Sequence, residues 1–442
     1  MDQVINVIKM AVIADDLTGA NDTAVQFAKF GITSCVLLDA IGQNGLSDSA
    51  DVLVLDTDSR AATPAVAYDK VQRVCQTLQA AGVRKVYKKV DSTLRGNLGA
   101  EIEAAADIFQ PELIVIAPAF PGNNRITIGS YHLLNQMPVS WTEIAEDPKS
   151  PVRESRLPEL LKQQTKCKVG FIPLPVVTEG ITAIQAAIAT RLNLGEKWLV
   201  FDAVTDDNLR QIAAAAMVYN RVLWVGSAGL AERLPELYGW QSDSKSHNTP
   251  VGGPVLIVAG SVSRITRKQI EIFLQQSATR LIEVNASAVL NDWYKEVERC
   301  VLTVNELFMA GNDVVIASAV AADAVDSAVT AGGRFGLDKN EISNRIAVVL
   351  GHIAFELAKK IQLAGMVLTG GDTAVNVCRA LGAGSLEILA EVVPGIPIGR
   401  LNGGPFSGMR VVTKAGAFGD DRALIKGAQA IKGKGDEEQE RE

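Results

Sequence analysis

Residues 7–31 read VIKMAVIADDLTGANDTAVQFAKFG and carry the pattern on which the fold prediction rests. The apolar run 7–14 predicts a buried β-strand, and 22–29 follows with apolar residues at helical spacing. Gly31 stands where a helix commonly ends. The segment between strand and helix, residues 15–22, is polar. A strand, a polar loop and a helix in this order form the repeating unit of a parallel α/β sheet.

The same alternation continues along the first half of the chain. Further strands are predicted at 34–38, 51–55, 85–90, 113–117, 198–202 and 222–225, and helices at 64–80 and 98–109. Strands that alternate with helices predict a mostly parallel sheet with right-handed crossovers.

Residues 240–253, WQSDSKSHNTPVGG, are polar and aperiodic, which is typical of a linker. After them, strands are predicted at 255–259, 281–284, 313–317, 366–368 and 410–413, and a long helix near 342–363. The sequence therefore predicts a 1–240 domain, a 241–253 linker, a 254–430 domain and a charged tail at 431–442. The fold class is α/β, with two domains that are each a mostly parallel sheet flanked by helices. We expect the active site in the cleft between them.

Composition excludes several classes of protein. The chain has 442 residues, a formal net charge of -7, 48% hydrophobic and 21% charged residues, which is ordinary globular composition. The acidic balance argues against a nucleic-acid partner. The start of the chain lacks a signal-peptide pattern, and there is no apolar run of about 18 residues, so we expect no membrane span and a cytoplasmic protein. Three histidines argue against a histidine-built metal site, and five scattered cysteines indicate a reducing compartment.

Polar and charged residues follow four strands of the first half. The four loops are 15–22, 56–60, 88–97 and 118–125. Because ligands of open parallel sheets bind at the carboxyl ends of the strands, we expect these loops to form one site for a small, hydroxyl-rich anion. Arg60, Lys89 and Arg95 could bind a carboxylate. Asp16 and Asp91 could accept hydrogen bonds from hydroxyls, and either could act as the general base.

A structural interpretation competes with this one in every loop. Asp16, Thr18 or Asp22 could simply cap a helix. The functional interpretation is favoured because four loops of this kind converge.

Glycine-rich loops follow three strands of the second half. These loops are 258–263, 368–374 and 414–420, and they include Ser261, Gly370, Gly371, Asp372, Thr373, Ala374 and Gly416. Backbone amides at such loops, together with a helix N-terminus, bind phosphates, so the sequence predicts a nucleotide site. Neither GxxxxGK[ST] nor GxGxxG occurs. A tight strand-to-helix turn would explain each loop about as well.

Three smaller features receive a structural interpretation or stay open. Residues 402–406 are more simply a hairpin turn than part of the site. Residues 226–230 either face the cleft or form a close packing point. The histidines and cysteines are interpreted as structural.

Seven stretches resemble the four-carbon acid sugar kinase family, in the same order and over about residues 10–430. They are IADDLTGANDTAVQFAKFG (13–31), KKVDSTLRGNLGAEIEAA (88–105), APAFPGNNRITIGSYHLL (117–134), GSAGLAE (226–232), VAGSVSRITRKQI (258–270), TGGDTAVNVCRALG (369–382) and TKAGAFGD (413–420). The first two stretches are the more specific ones, and the glycine loops are less so.

The resemblance implies ATP-dependent phosphorylation of the terminal hydroxyl of a four-carbon sugar acid, with Mg²⁺ neutralising the phosphates. It implies an N-terminal substrate domain and a C-terminal nucleotide domain. Carried over by motif, the substrate-binding residues would be Asp16, Arg60, Lys89, Val90, Asp91 and Ser92. The ATP-binding residues would be Ser261, Gly371, Asp372, Thr373, Ala374 and Gly416.

The segment around Leu94 is similar to the threonate and erythronate kinases, whereas the 3-oxo-tetronate kinases carry a proline in that position. The expected substrate is therefore D-threonate, with D-erythronate next and 3-oxo-tetronate as a further alternative. A non-catalytic sugar-acid sensor and a dehydrogenase are the competing classes. The sequence determines neither the metal ligands nor the oligomeric state, and a homodimer stays open.

Overall fold

The computed structural model of the protein describes residues 8–38, 50–147, 149–240, 249–261, 263–318, 324–416 and 418–433. The chain divides into two compact units, Met1–Ser244 and Lys245–Glu442, called the first and second unit below. Residue 7 of the first predicted strand, 241–248 of the predicted linker, 434–442 of the predicted tail, and Val262 and Ala417 of the glycine loops lie outside the described residues.

The first unit alternates strands and helices along most of its length. Its strands are β1 (Met10–Ala14), β2 (Ser34–Leu37), β3 (Val52–Asp56), β4 (Val86–Lys89), β5 (Leu113–Ala117), β6 (Arg125–Ile128), β7 (Tyr131–Leu134), β8 (Met137–Pro138), β9 (Val169–Ile172), β10 (Trp198–Phe201) and β11 (Val222–Gly226). Its helices are α1 (Leu17–Ala28), α2 (Pro64–Ala80), α3 (Leu98–Phe109), α4 (Leu157–Gln164), α5 (Leu174–Thr178), α6 (Ile181–Asn193), α7 (Asp206–Ala216), α8 (Ala228–Ala231) and α9 (Leu234–Leu237).

Eight of these strands form a parallel sheet in the order β2-β3-β1-β4-β11-β5-β10-β9. The register brings their carboxyl ends to one edge, since Ala14 pairs with Asp56 and Lys89 pairs with Gly226. The chain leaves β1 towards β2 and β3 on one side and continues to β4 on the other. The carboxyl ends of β1 and β4 therefore lie at the switch point of the sheet, where ligands of open α/β sheets bind.

The sheet is buried because its strands are almost uniformly apolar, as parallel strands covered on both faces must be. The segment that follows β5 was not predicted: β6, β7 and β8 form a separate three-stranded antiparallel sheet. These strands are only two to four residues long, so periodicity did not reveal them.

The second unit repeats the α/β alternation and then adds an antiparallel ribbon. Its strands are β12 (Val255–Ala259), β13 (Thr279–Glu283), β14 (Asp313–Ala317), β15 (Gly365–Thr369), β16 (Ser385–Val393), β17 (Ile396–Asn402) and β18 (Arg410–Lys414). Its helices are α10 (Arg264–Phe273), α11 (Ala286–Met309, interrupted at Asp292), α12 (Ala324–Gly333), α13 (Lys339–Lys360), α14 (Gly371–Ala380) and α15 (Ala423–Lys432).

Within the second unit, strands β13-β14-β12-β15-β18 are parallel, and β17 and then β16 add to β18 in antiparallel fashion. The α/β class with mostly parallel sheets is confirmed. The sequence prediction missed β16 and β17. The turn between β17 and β18 is the predicted hairpin turn, in which Gly403 and Gly404 adopt positive φ.

The structure decides two local predictions, the start of helix α1 and the role of the 226–230 segment. Helix α1 begins at Leu17 rather than at Asp22, because the Asp16 carboxylate accepts a hydrogen bond from the Gly19 amide and caps the helix there. Thr18 and Asp22 are therefore inside the helix and are not its cap. A Cβ atom on Gly229 would lie 2.6 Å from the Ala119 carbonyl oxygen, so the 226–230 segment is a close packing point.

Candidate functional site

The first candidate site of the molecule is a cluster of charged side chains at the carboxyl edge of the first unit's sheet. Arg60, which follows β3, donates from Nε to Asp15 Oδ2 at 2.7 Å and from Nη2 to Asp15 Oδ1 at 3.0 Å. The same Nη2 donates to Asp16 Oδ1 at 2.7 Å. Burial acts to raise the pKa of Asp15, but Arg60 outweighs it and holds that pKa below its usual value. Asp15 is therefore the ionised partner that fixes the Arg60 guanidinium.

Asp91 organises the loop that follows β4. Its Oδ2 accepts hydrogen bonds from the Arg95 Nε at 2.8 Å and from the backbone amides of Thr93 and Arg95, and its Oδ1 accepts from Arg95 Nη2 at 3.1 Å. The Thr93 hydroxyl bonds to the same carboxylate. Despite burial, Arg60 and Arg95 hold the pKa of Asp91 well below its usual range. The loop is strained, since Leu94 is buried with φ 66°.

Asp16 has a different electrostatic environment from Asp91. Burial and then repulsion from Asp15 raise its pKa, against the lowering effect of Arg60. Its Oδ1 accepts from the Gly19 amide at 2.8 Å and from Arg60, while its Oδ2 has no hydrogen bond to any described residue. The Asp16 side chain is 26% exposed, compared with 10% for Asp91. Asp16 thus has a free carboxylate oxygen, and Asp91 has none.

The adjacent lysines Lys88 and Lys89 have different surroundings. The Lys88 ammonium is fully buried, pairs with Glu101 at 2.7 Å and donates to the carbonyl oxygens of Ile13 and Lys89. Lys89 is 3% exposed and has no hydrogen bond or ion pair with the residues that the structure describes. Its Nζ lies 2.8 Å from the position that a Cβ on Gly19 would occupy, and Asp16 Oδ1 lies 2.8 Å from the same point. Lys89 is therefore a cation without a partner among the described residues, and it lies close to the Asp16 carboxylate.

The remaining residues of the predicted substrate segment contact the scaffold. Val90 packs into the core and its amide donates to the Gly226 carbonyl oxygen at 2.9 Å. The Ser92 carbonyl oxygen is 2.8 Å from His132 Nε2, and His132 Nδ1 is 3.0 Å from the Thr127 hydroxyl. Burial lowers the pKa of His132 to about 4, so this ring is neutral at physiological pH. His132 supports the Ser92 turn, in agreement with its structural interpretation.

Arg95 has carboxylate partners of its own. Besides the two bonds to Asp91, its Nη1 donates to Asp147 Oδ2 at 3.2 Å. Of the three cations predicted to bind a carboxylate, Arg60 and Arg95 are thus paired within the protein, and Lys89 is not. The sequence could not reveal these pairs, because Asp15 and Arg60 are 45 residues apart.

One acidic residue in this cluster was not selected from the sequence. Asp56 ends β3, and burial raises its pKa to about 7, with repulsion from Asp15 and Asp16 acting in the same direction. The Asp58 amide donates to its Oδ1 at 2.8 Å. In the sequence, the signal that could have indicated Asp56 was its position at the end of a strand.

The loops after β12, β15 and β18 meet at the carboxyl edge of the second unit's sheet. The Gly260 amide donates to the Thr369 carbonyl oxygen at 3.2 Å, and the Gly370 amide donates to the Lys414 carbonyl oxygen at 3.0 Å. The predicted nucleotide residues Ser261, Gly370–Ala374 and Gly416 therefore converge, since a Cβ on Gly416 would lie 2.1 Å from Ser261 Oγ. Only a residue without a side chain fits at such a close approach.

A cavity of about 290 Å³ opens beside two of these loops. Its walls include Ser261 and the start of α14, and one side is formed by α13 with Ile342, Ile346 and Leu350. Gly371 and the exposed Asp372 lie in the first turn of α14, whose amides have no helical partner, whereas Thr373 and Ala374 are buried. Ala374 and Gly416 are outside the cavity wall. The α13 wall was missed because apolar residues on a long helix give no signal beyond core packing.

Lys414 lies beneath the third loop of the second unit. It is 3% exposed, and its ammonium donates to the carbonyl oxygens of Ala415 at 2.9 Å and Gly416 at 3.1 Å. Burial lowers its pKa to about 8. Lys414 therefore holds the loop by donating hydrogen bonds to the loop's backbone carbonyl groups.

The described residues contain no group of three or more His, Cys, Asp or Glu side chains arranged to hold a metal ion. No helix in the described part of the chain combines the length and apolar character required to cross a bilayer.

Two family models match this chain, one within each compact unit. A family model described as a sugar-binding N-terminal domain matches residues 10–234, and one described as a nucleotide-binding C-terminal domain matches residues 256–424. The chain is 36% identical to the D-threonate kinase of Salmonella typhimurium over 94% of this chain and 97% of the relative. It is 33% identical to the D-erythronate kinase of Heliobacterium modesticaldum over 94% and 95% of the two chains.

The fold also matches a solved structure from Salmonella typhimurium, with a TM-score of 0.81 and 23% identity over 95% of this chain and 98% of that one. The two domain matches together span most of the sequence, and the similarity to the two kinases extends over almost the full length of each chain. The chain belongs to the four-carbon acid sugar kinase family.

Proposed function

We propose that this protein is an ATP-dependent kinase that phosphorylates the terminal C4 hydroxyl of a four-carbon sugar acid, and that D-threonate is its substrate. The observation that carries the proposal is the pairing pattern in the first unit. The buried ammonium of Lys89 has no partner among the described residues, and it lies close to the Asp16 carboxylate, whose Oδ2 accepts no hydrogen bond from those residues. A small ligand with an anionic end and hydroxyl groups supplies the complementary partners.

Asp16 is the better candidate for the catalytic base. A base must reach the hydroxyl with a free oxygen, and a higher pKa makes it a better proton acceptor. Asp16 meets both conditions, whereas Asp91 is saturated by hydrogen bonds and its pKa is strongly lowered. We assign Asp91 to holding the loop that carries Ser92 and Arg95, and Asp16 to orienting and deprotonating the hydroxyl.

The cavity of the second unit suits a nucleotide. Its volume of about 290 Å³ is near the lower end of small-molecule sites, and its α13 wall offers an apolar surface to a base. The free amides at the start of α14 and the Ser261 hydroxyl would face the phosphates. ATP supplies the phosphoryl group that is transferred.

The same cavity is compatible with Mg²⁺ bound together with the nucleotide. Asp372 is the one carboxylate that lines it among the described residues. Mg²⁺ that travels with phosphates commonly takes only one or two protein carboxylates and keeps several waters. This role for Asp372 is therefore compatible with the lack of a three-ligand metal group among the described residues.

The conformation of Leu94 supports the choice among substrates. Leu94 has φ 66°, whereas a proline ring fixes φ near −65°. The 3-oxo-tetronate kinases, which carry proline there, must therefore shape this loop differently. This argues against 3-oxo-tetronate and is compatible with D-threonate as the substrate, with D-erythronate as the first alternative.

The test is a turnover screen with purified protein, ATP and Mg²⁺ over D-threonate, D-erythronate, their L-isomers and 3-oxo-tetronates, with ³¹P NMR of the product. We expect the highest kcat/KM on D-threonate and a C4 phosphate monoester. Equal, low turnover on all acids would contradict the proposal. Acid binding without turnover would favour a sensor, and reduction of a nicotinamide cofactor would favour a dehydrogenase.

A further inference from the structure

Arg125 is a cation near the charged cluster that the function proposed above does not use. It opens β6 directly after the short helical turn Pro121–Asn123. Two backbone hydrogen bonds fix its position, from the Phe120 amide to the Arg125 carbonyl oxygen at 2.8 Å and from the Arg125 amide to the Phe120 carbonyl oxygen at 3.1 Å. Asn124 between them adopts φ 58°. The base of the Arg125 side chain is therefore rigidly held.

The Arg125 guanidinium lacks the carboxylate partners that Arg60 and Arg95 have. Its Nε is buried without a hydrogen bond, and no carboxylate of the described residues lies within ion-pair distance. Its Nη1 donates only to the Asn123 carbonyl oxygen in its own turn. Arg60 and Arg95 each hold a carboxylate with two nitrogen atoms. A buried charged donor without a partner is costly, so Arg125 is suited to a ligand that supplies one.

Strand pairing places Arg125 near the Asp91 loop, because Thr127, two residues further along β6, pairs with His132, whose Nε2 lies 2.8 Å from the Ser92 carbonyl oxygen. Burial lowers the pKa of Arg125, and the Asp91 carboxylate is the strongest of the charges that act against this effect. The positive charge of Arg125 also contributes to the low pKa of His132, whose Nε2 bonds to the Ser92 carbonyl oxygen. Arg125 thus lies on the side of the cluster formed by Asp91, Ser92 and His132.

We propose that Arg125 binds the carboxylate of the sugar acid through its guanidinium group. The inference rests on the proposed function, because it assigns one end of that substrate. Guanidinium groups bind carboxylates through two parallel hydrogen bonds, which Lys89 as a point charge cannot do. With the carboxylate on Arg125, the terminal hydroxyl at the other end of the acid is the group left for Asp16, and the Lys89 ammonium close to Asp16 donates to the hydroxyl groups.

The experiment measures binding and turnover for Arg125→Met and Arg125→Lys. D-threonate binding is followed by calorimetry without nucleotide, and KM is measured separately for D-threonate and for ATP. We expect Arg125→Met to weaken D-threonate binding about 10- to 100-fold and to leave the KM for ATP unchanged. Arg125→Lys keeps the charge but loses the two-point geometry, so its effect is expected to be smaller. Arg153→Met is the matched control, because Arg153 is exposed in the same unit.

Two additional readouts separate recognition from a structural effect. The neutral substrate analogue D-threonamide lacks the carboxylate charge, so the preference for D-threonate over D-threonamide should collapse in Arg125→Met. Methylguanidinium added to Arg125→Ala should restore part of the binding. Thermal unfolding shows whether each variant is folded.

Three outcomes would overturn the inference. The first is D-threonate binding by folded Arg125→Met with unchanged affinity. The second is an unchanged preference over D-threonamide, and the third is a rise in the KM for ATP alone, which would place Arg125 on a phosphate. Failure of the proposed function is distinguishable, because the wild type would then bind D-threonate without turning it over, or bind no four-carbon acid.

Discussion

The candidate sites of the two units offer an anionic ligand different chemical groups. In the first unit the groups are charged side chains, and most of them already neutralise one another, as Arg60 does with Asp15 and Arg95 with Asp91. In the second unit they are backbone amides and short hydroxyls at the glycine loops. The comparison shows that, in a site built from charged side chains, the residues that indicate ligand binding are those without a partner inside the protein. In a glycine-loop site they are the residues that fix the backbone.

Asp16→Asn should have the largest effect. The substitution removes the proton acceptor but keeps a hydrogen-bonding side chain at the start of α1. We expect kcat to fall about 10²- to 10⁴-fold while D-threonate binding changes little. Steady-state kinetics and calorimetry measure the two quantities. Asp58→Asn is the control, because its side chain is 93% exposed, and a matching loss of kcat there would remove the role assigned to Asp16.

Asp91→Ala tests the paired part of the same cluster. It leaves Arg95 without its main partner and releases a loop that contains the strained Leu94. We expect the free energy of unfolding to fall by about 3 kcal/mol and D-threonate binding to be lost. Urea unfolding followed by circular dichroism measures the stability change. Asp207→Ala, at an exposed pair, should cost less than about 1 kcal/mol, and equal losses in the two variants would contradict the account.

Lys414→Met tests the second unit. Without the ammonium, the carbonyl oxygens of Ala415 and Gly416 each lose one of their hydrogen bonds, so the third glycine loop should shift. We expect the KM for ATP to rise about tenfold, the loss of roughly one charge-assisted hydrogen bond, with an unchanged KM for the acid. Lys268→Met is the exposed control. A change confined to the KM for the acid would show that the loop does not serve the nucleotide.

The smallest expected effect is a pH dependence that comes from Asp56. Its pKa of about 7 lies above the usual value, so the folded protein holds this proton more tightly than the unfolded chain. The stability that this group contributes is complete at low pH and is lost as the pH rises through 7. Ionisation also adds a negative charge near Asp16, so the KM for the anionic substrate should rise a few-fold between pH 6 and 8.

Asp56→Asn should flatten both dependences, because an amide does not titrate in this range. Kinetics and thermal unfolding at pH 6, 7 and 8 measure them. If the wild type and Asp56→Asn give parallel pH profiles, Asp56 does not titrate where its surroundings indicate.

The sequence predicted most of the parallel strands because many are short apolar runs bounded by polar residues, as in β5 and β12, but it missed β9. It placed the start of α1 five residues late, since the cap is formed by Asp16 within a polar loop. The β16–β17 ribbon was missed because its alternation is broken by irregular pairing. Local sequence patterns therefore predict that a helix or strand exists better than they predict the residue at which it begins or ends.

The sequence predicted where the candidate sites lie better than it predicted which of their charged side chains pair with one another. Strand ends pointed to Asp16, Lys89 and Gly416, and the structure brings the polar loops of each unit together. Which cations are free depends on contacts across long stretches of chain, such as Asp15 with Arg60. The neighbours Lys88 and Lys89 are indistinguishable in sequence, yet only Lys88 has a carboxylate partner among the described residues.

The central claim is that the first unit binds the acid and the second unit binds the nucleotide. The direct measurement is calorimetry of Lys89→Met and Gly416→Ala, each titrated separately with D-threonate and with a non-hydrolysable ATP analogue plus Mg²⁺. The account predicts that Lys89→Met weakens only D-threonate binding, by about tenfold or more, and that Gly416→Ala weakens only nucleotide binding. Loss of the nucleotide in Lys89→Met, or of the acid in Gly416→Ala, would contradict it.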